Sequence, residues 1–79
     1  MSSLVTPYEN LAGDAGVAAY EIAEESIEVE FTGGSAYLYD YLRPGRQEVE
    51  AMKRLARGGM GLSTFITRHV GKNYRKRLR

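Results

Sequence analysis

The 79-residue chain contains no cysteine, which excludes a disulfide framework and any thiolate metal site. Its single histidine, His69, cannot by itself supply the three or four ligands that zinc takes. No metal and no cofactor are therefore expected. No run approaches the roughly 20 apolar residues of a membrane span, and residues 1–10 have neither the basic start nor the apolar core of a secretory signal. The expectation is a soluble, cytoplasmic protein with no membrane partner. Lys and Arg are missing altogether from residues 1–42, which hold eight acids, whereas residues 43–79 hold all eleven bases against only Glu48 and Glu50. Because the net charge is only +1, charge here is segregated rather than in excess.

What is present starts with the stretch IEVEFTGGSAYLYDYL, Ile27 to Leu42. Ile27, Val29 and Phe31 alternate with Glu28, Glu30 and Thr32, the period of a strand with one buried face. Gly33-Gly34 can supply the positive φ angles of a hairpin turn. Ser35 to Leu42 then returns with Tyr37, Tyr39 and Tyr41 on one face and Ala36, Leu38, Asp40 and Leu42 on the other. A two-residue turn would set Val29 against Leu38 and leave the tyrosines beside Glu28 and Glu30. A three-residue turn would slip the pairing by one, bring Phe31 beside Tyr37 and bury the tyrosines. The first register pairs like with like and is the one expected, with Val29, Phe31 and Leu38 inside and the tyrosines at least partly out.

Upstream, VAAYEIA from Val17 to Ala23 predicts a further strand, joined to Ile27 by the turn Glu24-Glu25-Ser26. Residues 1–16 lack periodicity and read as an irregular lead-in with a short turn of helix near Tyr8–Leu11. Its ordering would depend on Tyr8 or Leu11 finding the core. Downstream, Arg43-Pro44-Gly45-Arg46 breaks the strand. Val49, Met52, Leu55 and Ala56 then mark a helix over residues 47–57, closed by Gly58-Gly59, with Glu50 placed to pair with Arg54. A second helix is predicted from Leu62 or Ser63, Ser63 serving as N-cap and Leu62, Phe65, Ile66, His69 and Val70 as its apolar stripe. If it passes Gly71 and runs to the C-terminus, Arg68, Lys72, Arg75 and Arg79 share one basic face. The predicted fold is α+β, a single domain over residues 17–79: a three-stranded antiparallel β-meander followed by two α-helices packed on one face of the sheet.

From about Ile22 to Arg77 the chain resembles the KTSC domain, a small family named for the C-terminus of some lysyl-tRNA synthetases. The likeness is carried by the strand ending in Phe31, Gly33-Gly34, Tyr37-x-Tyr39 and Pro44. It continues in the helix closing at Ala56, in Phe65, and in Val70 with Tyr74 four residues on. The chain departs from that pattern at Gly61, Ser63, Thr67 and Gly71, and its span from Pro44 to Ala56 is longer. The resemblance implies a βββαα-type domain and a loose association with RNA-handling proteins.

For function, Arg68, Lys72, Arg75, Lys76, Arg77 and Arg79 could neutralise several phosphates of RNA or DNA, which makes a small, non-enzymatic nucleic-acid-binding module the leading expectation. The bland reading is that the tail offsets the acidic half. The alternative is a protein-interaction or self-associating domain. Tyr37, Tyr39 and Tyr41 would then be interface anchors, and an acidic sheet would meet a basic helix of another protein or a second copy. Catalysis finds no support. His69 sits on the apolar stripe as a packing residue, Glu24-Glu25 and Glu28/Glu30 read as a turn and a solvated face, and Gly58-Gly59-Met60-Gly61 lacks the Lys-Ser/Thr ending of a phosphate-binding loop.

Overall fold

The computed structural model describes residues 6–11 and 16–79; the remainder of the predicted lead-in, residues 1–5 and 12–15, lies outside the described residues. Alternating side chains build the three central strands, β2 (Val17–Ala23), β3 (Ser26–Phe31) and β4 (Ala36–Asp40). Two short strands flank them, β1 (Thr6–Pro7) beside β2 and β5 (Lys76–Arg77) beside β4. The result is a five-stranded antiparallel sheet in the order β1-β2-β3-β4-β5. The α+β class is as expected, but the sheet has five strands rather than three. Both additions come from segments that carry no strand periodicity.

The hairpin takes the slipped register. Ile27 pairs with Tyr39 and Val29 with Tyr37, while Glu28 and Glu30 oppose Leu38 and Ala36. Phe31 N–H donates to Ser35 O at 2.8 Å and Gly34 N–H to Phe31 O at 2.9 Å, which leaves a three-residue loop with Gly34 at φ 100°. That conformation suits glycine and no side chain. Two expectations are corrected here. Leu38 lies on the open face of the sheet, and Tyr39, only 1% exposed, lies in the core. The reason is tertiary: a tyrosine buries roughly 150–250 Å², so the face carrying three of them is the one a helical layer gains most by covering.

That layer is α1 (Arg46–Gly58), then α2 (Leu62–Phe65), which continues into a π-helical turn over Ile66–Val70. Val49, Met52 and Ala56 of α1, with Leu62, Ile66 and Val70, close over Ile27, Val29, Tyr39, Val17 and Tyr20. The end of α1 matches the sequence reading: Gly59 N–H bonds back to Leu55 O and Ala56 O. The start of α2 does not, because Gly61 rather than Ser63 occupies the N-cap. No side chain of its own caps it. Instead Tyr8, brought in beside β1, is buried and its hydroxyl accepts the Leu62 N–H at 3.2 Å. Leu11, the other candidate anchor of the lead-in, is exposed.

The second helix also stops earlier than its composition suggests. Gly71 N–H donates to Ile66 O at 2.6 Å, closing the π-helical turn, and Gly71 itself adopts φ 57°, ψ −126°. The chain then turns back to the sheet. A continuous basic helical face through Arg68, Lys72, Arg75 and Arg79 therefore does not form. No helix among the described residues is long and apolar enough to cross a membrane.

Candidate functional site

The returning tail is fastened to β4 by backbone hydrogen bonds: Arg75 N–H to Leu38 O, Leu78 N–H to Ala36 O, and Ala36 N–H to Arg79 O, at 2.7–3.1 Å. Tyr74 anchors its start, its ring centroid 4.4 Å from that of Tyr37 and edge-on to Tyr39 at 6.3 Å. Four of the six predicted basic residues, Arg75, Lys76, Arg77 and Arg79, thus follow one margin of the sheet, and a fifth, Lys72, lies in the turn that leads to it. All five are exposed. Arg68 is separated from them: it stays on the helical layer beside Leu55, Met60 and Thr64. One cation was not singled out from the sequence. Arg43 Nε donates to Asn73 Oδ1 at 3.1 Å, which puts Arg43 at the same margin. Its place after β4 becomes a signal only once the tail is known to return there.

The margin is partly neutralised from within. Arg75 Nε lies 3.5 Å from Asp40 Oδ2, and Arg79 pairs with Glu30. Arg77 lies with its guanidinium 5.8 Å from the Tyr37 ring centroid, a cation–π distance, and donates to Arg79 O. Lys72, Lys76, Arg77 and Arg43 form no ion pair with a described carboxylate. Beside this margin the open face of the sheet carries Glu21 directly across from Glu28, a like-charge pair that repels anions.

The three tyrosines do not form an exposed stripe. Tyr37 lies half-buried between Phe31, Tyr74 and Arg77, and Tyr39 is core. Tyr41 donates to Glu50 Oε2 at 2.7 Å, with Arg46 and Lys53 each 5.7 Å from its ring centroid. Of the three expected interface anchors, Tyr39 is corrected, because it is buried and closed to any partner, whereas Tyr37 and Tyr41 stay partly exposed. His69 is also corrected, since it is exposed and stacks on Phe65 at 4.9 Å rather than packing inside.

Glu50 pairs with Lys53 at 2.9 Å, not with Arg54. Lys53 is only 4% exposed and also donates to Glu24 O at 2.8 Å, so it ties α1 to the turn between β2 and β3. The hydrogen bonds from Lys53 and then Tyr41 hold the Glu50 carboxyl below the usual carboxylate range. The same bond to Glu50 raises the Tyr41 phenol, with a further push from burial. The lowered Glu50 pKa gives stability that is present above the ordinary carboxyl range and lost as pH falls through the folded-state value. The raised Tyr41 pKa gives stability that is present below the ordinary phenol value of 10.0 and lost as pH rises through the folded-state value. Melting temperature against pH should therefore lose part of its acid limb in Glu50→Gln and part of its alkaline limb in Tyr41→Phe. An alkaline component should persist in Tyr41→Phe, because burial also raises Tyr39. An unchanged acid limb in Glu50→Gln would contradict the assignment.

Among the described residues no three or more His, Cys, Asp or Glu side chains come together as a cation site. Comparison with family models, with curated proteins and with solved structures finds no match to this chain.

Proposed function

We propose that the chain is a small non-catalytic module that binds the phosphate backbone of nucleic acid, RNA or DNA, along the β5 margin. The reading rests on one observation: the break at Gly71 returns the chain so that Lys76 and Arg77 lie along the sheet edge, with Lys72 in the turn before it and Arg43 held to Asn73, all four exposed and without a described Asp or Glu partner. Arg75 and Arg79, held by Asp40 and Glu30, fix the strand and add charge at its flanks. The acidic open face keeps the polymer off the sheet and so orients it. The KTSC-like pattern, with its association with RNA-handling proteins, belongs to the same proposal.

Binding of this kind is driven by counterion release and has little sequence preference. With about four phosphates neutralised, log affinity for a single strand should fall against log salt with a slope of about −3. A gel-shift titration of the Lys72→Ala/Lys76→Ala/Arg77→Ala variant should show uniform weakening across oligonucleotides. It should also show a slope shallower by about 0.7 for each lost phosphate contact. Arg68→Ala, on the other layer, should change little. Absence of binding at low salt, or a triple variant that binds like the parent, rejects the proposal.

A further inference from the structure

The outer surface of the helical layer carries a groove that the β5 margin does not use. It has a volume of about 630 Å³, with Leu55, Met60 and Phe65 supplying apolar wall and Arg68 and His69 lying at its rim. A second furrow of about 290 Å³ adjoins it, sharing Phe65 and His69 and reaching Arg54 and Glu48 on α1. Met60 is 52% exposed, and its flexible thioether side chain suits a surface able to repack around a ligand.

We infer that this groove docks an acidic amphipathic peptide segment of a partner protein. Charge complementarity selects that occupant. Arg54, Arg68 and His69 are exposed around the apolar floor, and neither arginine forms an ion pair with a described carboxylate. A helix placing apolar side chains on Leu55, Met60 and Phe65 would set flanking carboxylates against the two arginines, as in helix-in-groove recognition. Glu48 also lines the furrow and disfavours a partner carboxylate beside it. A nucleic acid fits less well, because Phe65 already has His69 against its ring and the other apolar wall residues, Leu55 and Met60, are aliphatic and offer no face for base stacking.

The test follows backbone amide shifts of the full chain by NMR. The probe is a synthetic peptide of about four helical turns with Leu at anchor spacing and Glu on the flanks. Saturable shifts at Leu55, Met60, Thr64, Phe65 and His69 are expected, with no response to versions bearing Lys for Glu or Ser for Leu. Met60→Ser and Arg68→Glu, both at exposed positions, should each weaken binding roughly tenfold, and Arg68→Glu should restore response to the Lys peptide. The Lys72/Lys76/Arg77 variant should bind the peptide normally, which separates this site from the β5 margin. No saturable shift, or an equal response to the Lys or Ser peptide, overturns the inference. It is equally overturned if those residues respond to protein concentration alone, which makes a second copy the occupant, or to an oligonucleotide in place of the peptide.

Discussion

Tyr39→Ala is expected to unfold most of the population at room temperature, or to leave it only marginally stable. Tyr39 is 1% exposed and pairs with Ile27 on β3, and Tyr74 of the tail packs edge-on against its ring. Truncating a buried aromatic to alanine costs about 3–5 kcal/mol through lost transfer energy and the cavity left behind. A domain of this size has roughly 4–12 kcal/mol in total, and a small core sits toward the lower end. The cavity would also undercut Tyr74 and so loosen the start of β5. Tyr39→Phe, which keeps the ring, should cost no more than about 1 kcal/mol. Leu38→Ala, on the open face, should cost only about 1 kcal/mol, since a partly exposed side chain loses less than a fully buried one. Urea unfolding of these three variants reads the hairpin register directly. A costly Leu38→Ala beside a harmless Tyr39→Ala would restore the two-residue turn.

Gly71→Ala is the second change with a large expected effect, and its cause is purely conformational. A Cβ at this position would meet nothing within 4 Å, so no clash contributes. The backbone at φ 57°, ψ −126° is one that L-residues avoid, and holding one there costs of order 1–3 kcal/mol. The alternative, letting the helix continue, would pull Lys76 and Arg77 from β4 and remove Tyr74 from Tyr37. A variant with D-alanine at residue 71, made by chemical synthesis, separates the explanations. Its mirror-image preference matches this geometry, so it should be more stable than the parent by about 0.4–1 kcal/mol, by restricting the unfolded chain. Chemical denaturation of the L- and D-alanine proteins should thus move in opposite directions. Parallel shifts would assign Gly71 some other role. Because the β5 margin depends on the same turn, the L-alanine protein should also lose oligonucleotide affinity with its fold otherwise retained.

Where local chemistry and global packing agree, the sequence was sufficient. The extent of β2 follows from its strand-like composition, and α1 with its Gly59 closure follows from helical spacing and glycine at the end. Charge segregation and the exclusion of a thiolate metal site follow from composition alone. The candidate site was legible in part as a list of cations, Lys72 to Arg79, but not as a surface, and neither the separation of Arg68 nor the arrival of Arg43 could be read from it.

Tertiary structure decided the rest. Both hairpin registers satisfy alternation, and only the gain from covering three tyrosines with helices selects between them. Glycine at residue 71 is compatible with a continuing helix, and only the docking of Tyr74 against Tyr37 and Tyr39 makes a break there the lower-energy course. Thr6–Pro7 and Lys76–Arg77 become strands because open sheet edges offered their backbones partners, an interaction indifferent to side-chain pattern. Lys53 reads from the sequence as one more surface base near the end of a helix. It is buried because the Glu50 carboxylate, the face of the Tyr41 ring and the Glu24 carbonyl, from three separate segments, converge on its ammonium group.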